Sequence, residues 1–356
     1  IYAANDSALA YGAGYAAARD RLFLMDVLRH YSEGTLSSFL GPSCAFEQMD
    51  HDQLLAAAYT PAQAQAQLDA LPQQYGALGS EVVSMIDSYV QGVNRYIAQT
   101  QTDPSLLPAD YAAALGPPQP GQPTDVVHLG SLIGSVATGG GDGIRNAALL
   151  QYLGRQLHSP QAAAQAFADF TEQNDPAAPT TIAKRFPYLS VGRVNPNTVA
   201  MPDNAAAPLT GGPTDTTPGC SLTAPNPAAV AILGGLLSGG GGESNALVIP
   251  AAHAAGGSPI AVFGPELGYY APQILMQEDL HAPDFSAEGA AFPGANFLVE
   301  LGRGPDFAWS ATTASTEQIV QRLELICNPD GSKPAAQGTY YSYDGRCLPM
   351  SEHTYT

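Results

Sequence analysis

From Asn5 to Gly41 the chain reads "NDSALAYGAGYAAARDRLFLMDVLRHYSEGTLSSFLG", and apolar residues recur in it every three or four positions. Tyr11, Tyr15, Ala18, Leu22, Met25 and Leu28 fall on one side of a 3.6-residue period, which predicts an amphipathic helix. Asn5 or Asp6 can cap its start, because a short polar side chain accepts one of the orphan backbone N–H groups there. The charged run Arg19-Asp20-Arg21 interrupts the pattern and reads as an exposed, salt-bridged turn. A second helix is predicted over residues 80–100, where Val83, Ile86, Tyr89, Val90, Val93 and Ile97 share a face. "LPADYAAALG" and "TDVVHLGSLIG" predict shorter helical pieces around a Pro-rich connection. "GDGIRNAALLQYLGRQL" opens a further helix after a glycine run.

Between residues 202 and 243 this periodicity disappears. The stretch is rich in Pro, Gly, Thr and Ala, nearly uncharged, and reads as a linker. Beyond Ser244 the pattern becomes strand-like. "NALVIP", "SPIAVFG", "NFLVELG" and "DFAWSATT" are short apolar runs separated by Gly and Pro. The predicted order is therefore helices, linker, strands, an α+β organisation.

Composition narrows the chemistry. With 45% hydrophobic residues over 356 positions the chain can bury a substantial core. Its net charge of −19, with lysine only at Lys184 and Lys333, argues against a nucleic-acid partner, since no basic patch can neutralise phosphates. No apolar run reaches the roughly 18 residues of a membrane span. Of the four cysteines, Cys44, Cys220, Cys327 and Cys347, no pair has CxxC spacing, which disfavours zinc. Cys327 and Cys347 bracket a Pro/Gly/Tyr-rich loop, where either a loop-closing disulfide or two free thiols are open; a disulfide would fit an oxidising compartment. The glycine runs lack a following GK[ST] or GxGxxG, GxSxG is absent, and seven scattered histidines show no HExxH spacing. A serine hydrolase with His and Asp partners would need a histidine close to its serine. His281, in "DLHAP", and Trp309 read as structural.

"GGGGESNALVIP", residues 239–250, puts the most pliable backbone of the chain directly before a Ser-Asn pair at a strand start. Read with "FGPELGYYAP", "DLHAP" and "NFLVELGRGPDFAWSATTAS" downstream, and with "GYAAARDRLFLMD" and "YVQGVNRYI" upstream, the ordered set resembles the penicillin acylase family of N-terminal nucleophile hydrolases. The resemblance covers nearly the whole chain apart from the linker and the last thirty residues. It implies an αββα fold, two stacked antiparallel sheets between helix layers, with a helical N-terminal segment. It further implies a precursor that cuts itself between Glu243 and Ser244: residues 1–201 become the small chain, 202–243 a spacer, and 244–356 the start of the large chain, whose remainder lies beyond this sequence. The two chains would then form a heterodimer. Ser244 would become both a chain terminus and the nucleophile, with its own α-amine as base; such an amine titrates near about 7.7–8.0.

The same resemblance assigns further residues. Asn245 would orient the backbone beside the nucleophile. Glu266 stands where the family more often has Gln or His, and its charge would raise the pKa of the amine. Leu267, Ile274 and Met276 line an apolar acyl pocket, or are plain core. Spacing from Trp309 puts the oxyanion-hole N–H on Thr313, or on Thr312 if shifted by one. A second donor, an Asn followed by an Arg, belongs to the part of the precursor beyond Thr356. No cofactor is required. A structural calcium would draw on Glu317 and on Asp142, beside Gly143, unless these simply face solvent. The substrate would be a small acyl amide such as a penicillin, an N-acyl homoserine lactone or another N-acyl amine, met outside the cell or in the periplasm. A non-catalytic relative on the same scaffold is the competing reading, because the family usually has a small residue where Glu243 stands.

Overall fold

The computed structural model describes residues 1–57, 59–137, 143–171, 244–266, 273–311, 323–335 and 338–352. Within them, helices come first in the chain and antiparallel strands follow. The linker, 202–243, lies outside the described residues. Contacts divide the chain into two units. One holds the described residues up to 137 together with those from 244 to 311, and the other those from 143 to 171 and from 323 to 352.

The first unit is organised around α1 (Asp6–Ser32). Asn5 is the cap: its side-chain oxygen accepts from the backbone N–H of Ala8 at 2.8 Å. The helix kinks at Arg21, whose φ of −143° and ψ of 19° leave the helical region. There the predicted turn is realised as a break within one long helix. Arg19 and Asp20 form an exposed ion pair at 2.8 Å, while the Arg21 guanidinium donates to the Asp20 carbonyl at 2.9 Å. After α1, Gly34 takes a φ of +66°, which glycine adopts without the Cβ clash other residues meet. The short helix α2 (Leu36–Leu40) is held by α3 (Cys44–Ala57): the Asp50 carboxylate accepts from the N–H groups of Leu36 and Ser37 and from the Ser37 hydroxyl. Helix α4 (Pro61–Tyr75) starts with a reciprocal cap between Thr60 and Gln63.

Helix α5 (Ala77–Thr102) extends the predicted span by a turn at its start; its buried side keeps Ile86, Tyr89, Val90, Val93 and Ile97 of the expected set, adds Met85 and Tyr96, and leaves Val83 half-buried. It crosses α1 very closely. A Cβ on Gly14 would sit 2.1 Å from the carbonyl oxygen of Tyr89, and one on Gly92 would sit 2.1 Å from that of Tyr11. Alanine-rich turns in α1 (Ala10, Ala13, Ala17 and Ala18, all buried) continue this close approach. Helix α6 (Pro123–Ala137) adds Leu129 and Leu132 to the same core.

The unit's strands form two separate sheets. β1 (Ser244–Ile249) and β2 (Ile260–Pro265) make an antiparallel ribbon. β3 (Met276–Ala282), β4 (Phe285–Ala291), β5 (Leu301–Arg303) and β6 (Ala308–Trp309) make a four-stranded antiparallel sheet in sequence order. Along β3, Met276, Glu278 and Leu280 point inward and Gln277 and Asp279 outward. Helix α1 packs on β3, and Leu280, Ala287, Phe297 and Val299 join the helical core. Of the predicted strand "NFLVELG" only Leu301 and Gly302 fall in β5, because residues 293–298 form turns and a bend. Trp309 is half-buried and packs against the core, its indole N–H donating to the Val299 carbonyl at 3.2 Å.

The second unit contains α7 (Gly143–Leu157) packed on α8 (Pro160–Thr171), and a three-stranded sheet of β7 (Leu325–Ile326), β8 (Tyr340–Tyr343) and β9 (Arg346–Pro349). The Cys327–Cys347 disulfide forms, closing the loop between β7 and β9 across 20 residues. A cross-link of that loop length restricts the unfolded chain by about 3 kcal/mol in the chain-entropy account. Cys44 is also disulfide-bonded. Among the described residues no helix is long and apolar enough to cross a membrane.

Candidate active site

Ser244 is the first residue of β1, half-buried and directly opposite Pro265 on β2. The register is fixed by apolar pairs further along the ribbon, Leu247 with Val262 and Ile249 with Ile260. Asn245 faces Gly264, which has a φ of +153°. That conformation is open to glycine and to few other residues. Glu266, the residue directly after β2, meets Asn245: the Asn245 carboxamide Nδ2 donates to Glu266 Oε1 at 2.6 Å. A short hydrogen bond to a carboxylate is stronger than one between neutral partners and fixes both side chains, although both are exposed. The ribbon thus brings Ser244, Asn245 and Glu266 together.

The other predicted residues divide into two groups. Ile274 and Met276 are buried on the approach to β3 and in β3, in the four-stranded sheet rather than the ribbon, and Met276 belongs to the hydrophobic core. Glu243, Leu267, Thr312, Thr313, Glu317 and Asp142 lie outside the described residues. Among the described residues no group of three or more His, Cys, Asp or Glu side chains could hold a metal ion.

Sequence reasoning missed two polar clusters beneath the sheet and helices. In the first, the fully buried Asn296 accepts from the Tyr89 hydroxyl at 2.5 Å and donates to Glu278 Oε1. The Gly294 N–H donates to Tyr89 Oη at 2.9 Å. The second carboxyl oxygen of Glu278 is buried without a hydrogen-bond partner. Burial pushes the Glu278 carboxyl up to about 8, against the opposing hydrogen bond from Asn296, and the neighbouring Glu300 charge adds to the rise. Glu300 is itself raised to about 7 by burial. In the second cluster the Arg29 guanidinium lies 2.9 Å from Asp26 and 3.7 Å from Asp125, and Asp26 accepts from the Tyr111 hydroxyl. Burial raises both aspartates, and lifts nearby Glu33 to about 7. Asp26, Arg29 and Asp125 edge a cavity of about 50 Å³, whose floor is Leu22, Met25, Val90 and Val93. The only sequence signal for either cluster was a charged residue at an inward position of a periodic run, as with Asp26 and Glu278.

Ionisation of Glu278 gives a testable pH dependence. Its folded pKa, about 8, lies above its ordinary value of 4.5. The native state therefore holds a proton that the unfolded chain releases. The Glu278 contribution to stability is therefore full below about pH 4.5 and is lost as pH rises to about 8, by on the order of a few kcal/mol in all. Glu300 and Glu33 act in the same direction in the lower part of that window. Urea unfolding at pH 5, 7 and 8.5 should show falling midpoints, and Glu278→Gln should flatten the segment above pH 7. An unchanged slope in Glu278→Gln would remove Glu278 as the source.

With this geometry established, the chain can be placed among known proteins. The penicillin amidase family model matches residues 1–356, and the chain belongs to that family. It is 30% identical to penicillin G acylase of Escherichia coli across 98% of its own length. It spans 41% of the length of that protein. A solved thermostable penicillin G acylase from Alcaligenes faecalis is also 30% identical and has a TM-score of 0.42, the match covering 52% of this chain and 91% of that one.

Proposed function

We propose that the chain is the Ser244-bearing part of an amidohydrolase acting on an acyl amide, and that Ser244 acts as an N-terminal nucleophile after self-cleavage of the Glu243–Ser244 bond. One observation carries this reading: in a chain of the penicillin amidase family, Ser244 opens a strand whose next residue, Asn245, is hydrogen-bonded to Glu266 at the end of the neighbouring strand. In the precursor, Ser244 Oγ attacks the Glu243 carbonyl and the resulting ester is hydrolysed, freeing the α-amine. In catalysis that amine takes the Oγ proton while Oγ attacks the substrate carbonyl. The amine leaving group departs with a proton, and water then releases the acid from the acyl-enzyme.

In this reading the Thr313 N–H faces the developing oxyanion, a contact worth about 2.7–4 kcal/mol at the transition state. Leu267, Ile274 and Met276 shape an apolar acyl site, which suits penicillins, N-acyl homoserine lactones or other N-acyl amines. The αββα arrangement, the small-chain and large-chain division at 202–243, and an extracellular or periplasmic location belong to the same proposal. Glu317 and Asp142 would supply two of the six to eight oxygens that calcium takes. Glu243 favours a second reading, a relative that keeps the scaffold and never cuts, because it puts a carboxylate on the bond that must break.

Intact-mass analysis of the full-length protein separates the two. The enzyme reading expects a fragment whose N-terminal residue is Ser244, and its complete disappearance in Ser244→Ala. An uncut wild-type chain with the same behaviour as Ser244→Ala would establish the non-processing reading instead.

A further inference from the structure

The β3–β4 hairpin places a second serine against a histidine. His281 and Ser286 are direct cross-strand partners, so their side chains share a face. Asp279, two residues before His281 on the same strand, shares it too. The contacts are close: His281 Nδ1 to Ser286 Oγ is 2.9 Å, and His281 Nε2 to Asp279 Oδ1 is 2.7 Å. The ring is further fixed by stacking of Tyr2 at 4.5 Å between centroids and by two backbone hydrogen bonds, from Ala3 N–H to the His281 carbonyl and from His281 N–H to the Ile1 carbonyl.

The proton positions follow from elementary valence. A carboxylate only accepts, so in the neutral ring Nε2 carries the hydrogen and gives it to Asp279. Nδ1 is then a bare lone pair, and the Ser286 hydroxyl must be the donor. That is the arrangement of a serine with a general base already in place and a carboxylate holding the base in the needed tautomer. The side chains of His281 and Asp279 are 30% and 53% exposed, so the group is open to a reagent from solvent.

We propose that Asp279, His281 and Ser286 form a nucleophilic site separate from Ser244, reactive toward acyl and phosphonyl centres that carry a good leaving group, such as aryl esters and fluorophosphonates. Arg303, a cation on this face, is engaged with Glu288 at 2.6 Å. The His281 N–H, already given to Ile1, is not a donor for an oxyanion. The site therefore suits leaving groups that depart as stabilised anions, in contrast to the amides proposed for Ser244. With an aryl ester, Ser286 Oγ bonds to the acyl carbon, its proton passes to His281 Nδ1, and the aryl oxide leaves and takes that proton. Water then attacks the Ser286 ester, losing a proton to Nδ1, which returns it to Oγ as the carboxylic acid departs. With a fluorophosphonate, the Oγ–P bond forms as P–F breaks, fluoride leaves with the proton, and the adduct persists.

The test uses a fluorophosphonate probe on the full chain, with adducts mapped by peptide mass spectrometry. Ser258, an exposed loop serine, is the internal reference. General-base assistance is worth about 10²-fold or more, so Ser286 should label about 100-fold faster than Ser258, in wild type and in Ser244→Ala alike. His281→Gln should bring Ser286 down to the rate of Ser258. Asp279→Asn, at an exposed position, should slow it at least about tenfold. Labelling of Ser286 no faster than Ser258 in wild type would overturn the proposal. So would an unchanged Ser286 rate in both His281→Gln and Asp279→Asn. Because Ser244→Ala is one arm, a chain that fails to process at Ser244 leaves this result readable.

Discussion

Gly92→Ala is expected to lower the stability of the folded chain by about 1–3 kcal/mol, and Gly14→Ala by a similar amount. Two effects compete. Alanine in a helix interior is favoured over glycine by about 1 kcal/mol, since glycine loses more backbone freedom on folding. Against this, the new methyl at either site would lie 2.1 Å from a backbone carbonyl oxygen of the facing helix. A flexible side chain could move aside, but a carbonyl in the middle of a helix cannot, so α1 and α5 must separate. Separation loosens contacts of Leu9, Tyr89, Val90 and Val93 together, which is why overlap wins over propensity. Gly130→Ala in α6 is the control, because nothing lies within 4 Å of its added methyl; it should be neutral or stabilising by up to about 1 kcal/mol. Urea unfolding followed by Trp309 fluorescence and by far-ultraviolet circular dichroism measures all three. Equal midpoints for Gly92→Ala and Gly130→Ala would show that the two helices do not cross as described.

Asn296→Leu should be at least as damaging, costing about 2–6 kcal/mol through the two buried groups it orphans. The substitution keeps the side chain's approximate volume and removes both of its hydrogen-bonding ends. Glu278, whose outer carboxyl oxygen is already without a partner, would lose its remaining bond. The Tyr89 hydroxyl would lose its acceptor while still accepting from Gly294. Each orphaned buried group costs about 1–3 kcal/mol, more when charged. The double variant Glu278→Leu/Asn296→Leu should recover part of the loss, since removing both partners leaves no stranded polar group on that side. A double variant less stable than the sum of the two single ones would contradict this account.

The helical half of the fold was legible because its apolar positions repeat cleanly in α1 and α5, and Asn5 is a strong start signal. The run containing α3 and α4 was not recognised: "AQAQAQLDA" has small and polar residues at nearly every position, and only Ala64 and Leu68 of α4 are buried. Strand β3 was missed for a related reason. It alternates inward and outward as a half-buried strand should, but the inward Glu278 disguises the pattern, and its acceptability depends on Asn296 arriving from 18 residues away. Ser244 and Asn245 could be found because they are neighbours in a recognisable run. The hydrogen bond from Asn245 to Glu266 depends on the register of the β1–β2 ribbon, and the pairing of His281 with Ser286 on a hairpin register. Neither is written in local spacing.

The ribbon of β1 and β2 leaves Leu247, Val248 and Val262 more than 60% exposed, and Ile260 half exposed. Core formation among α1, α5 and β3 draws on none of these side chains. Assembly and the cut proposed before Ser244 would therefore be separable in time: the interior can be complete while that bond is still whole. Under that proposal, a mutation that blocks the cut should leave a well-folded, long-lived chain rather than one cleared as misfolded.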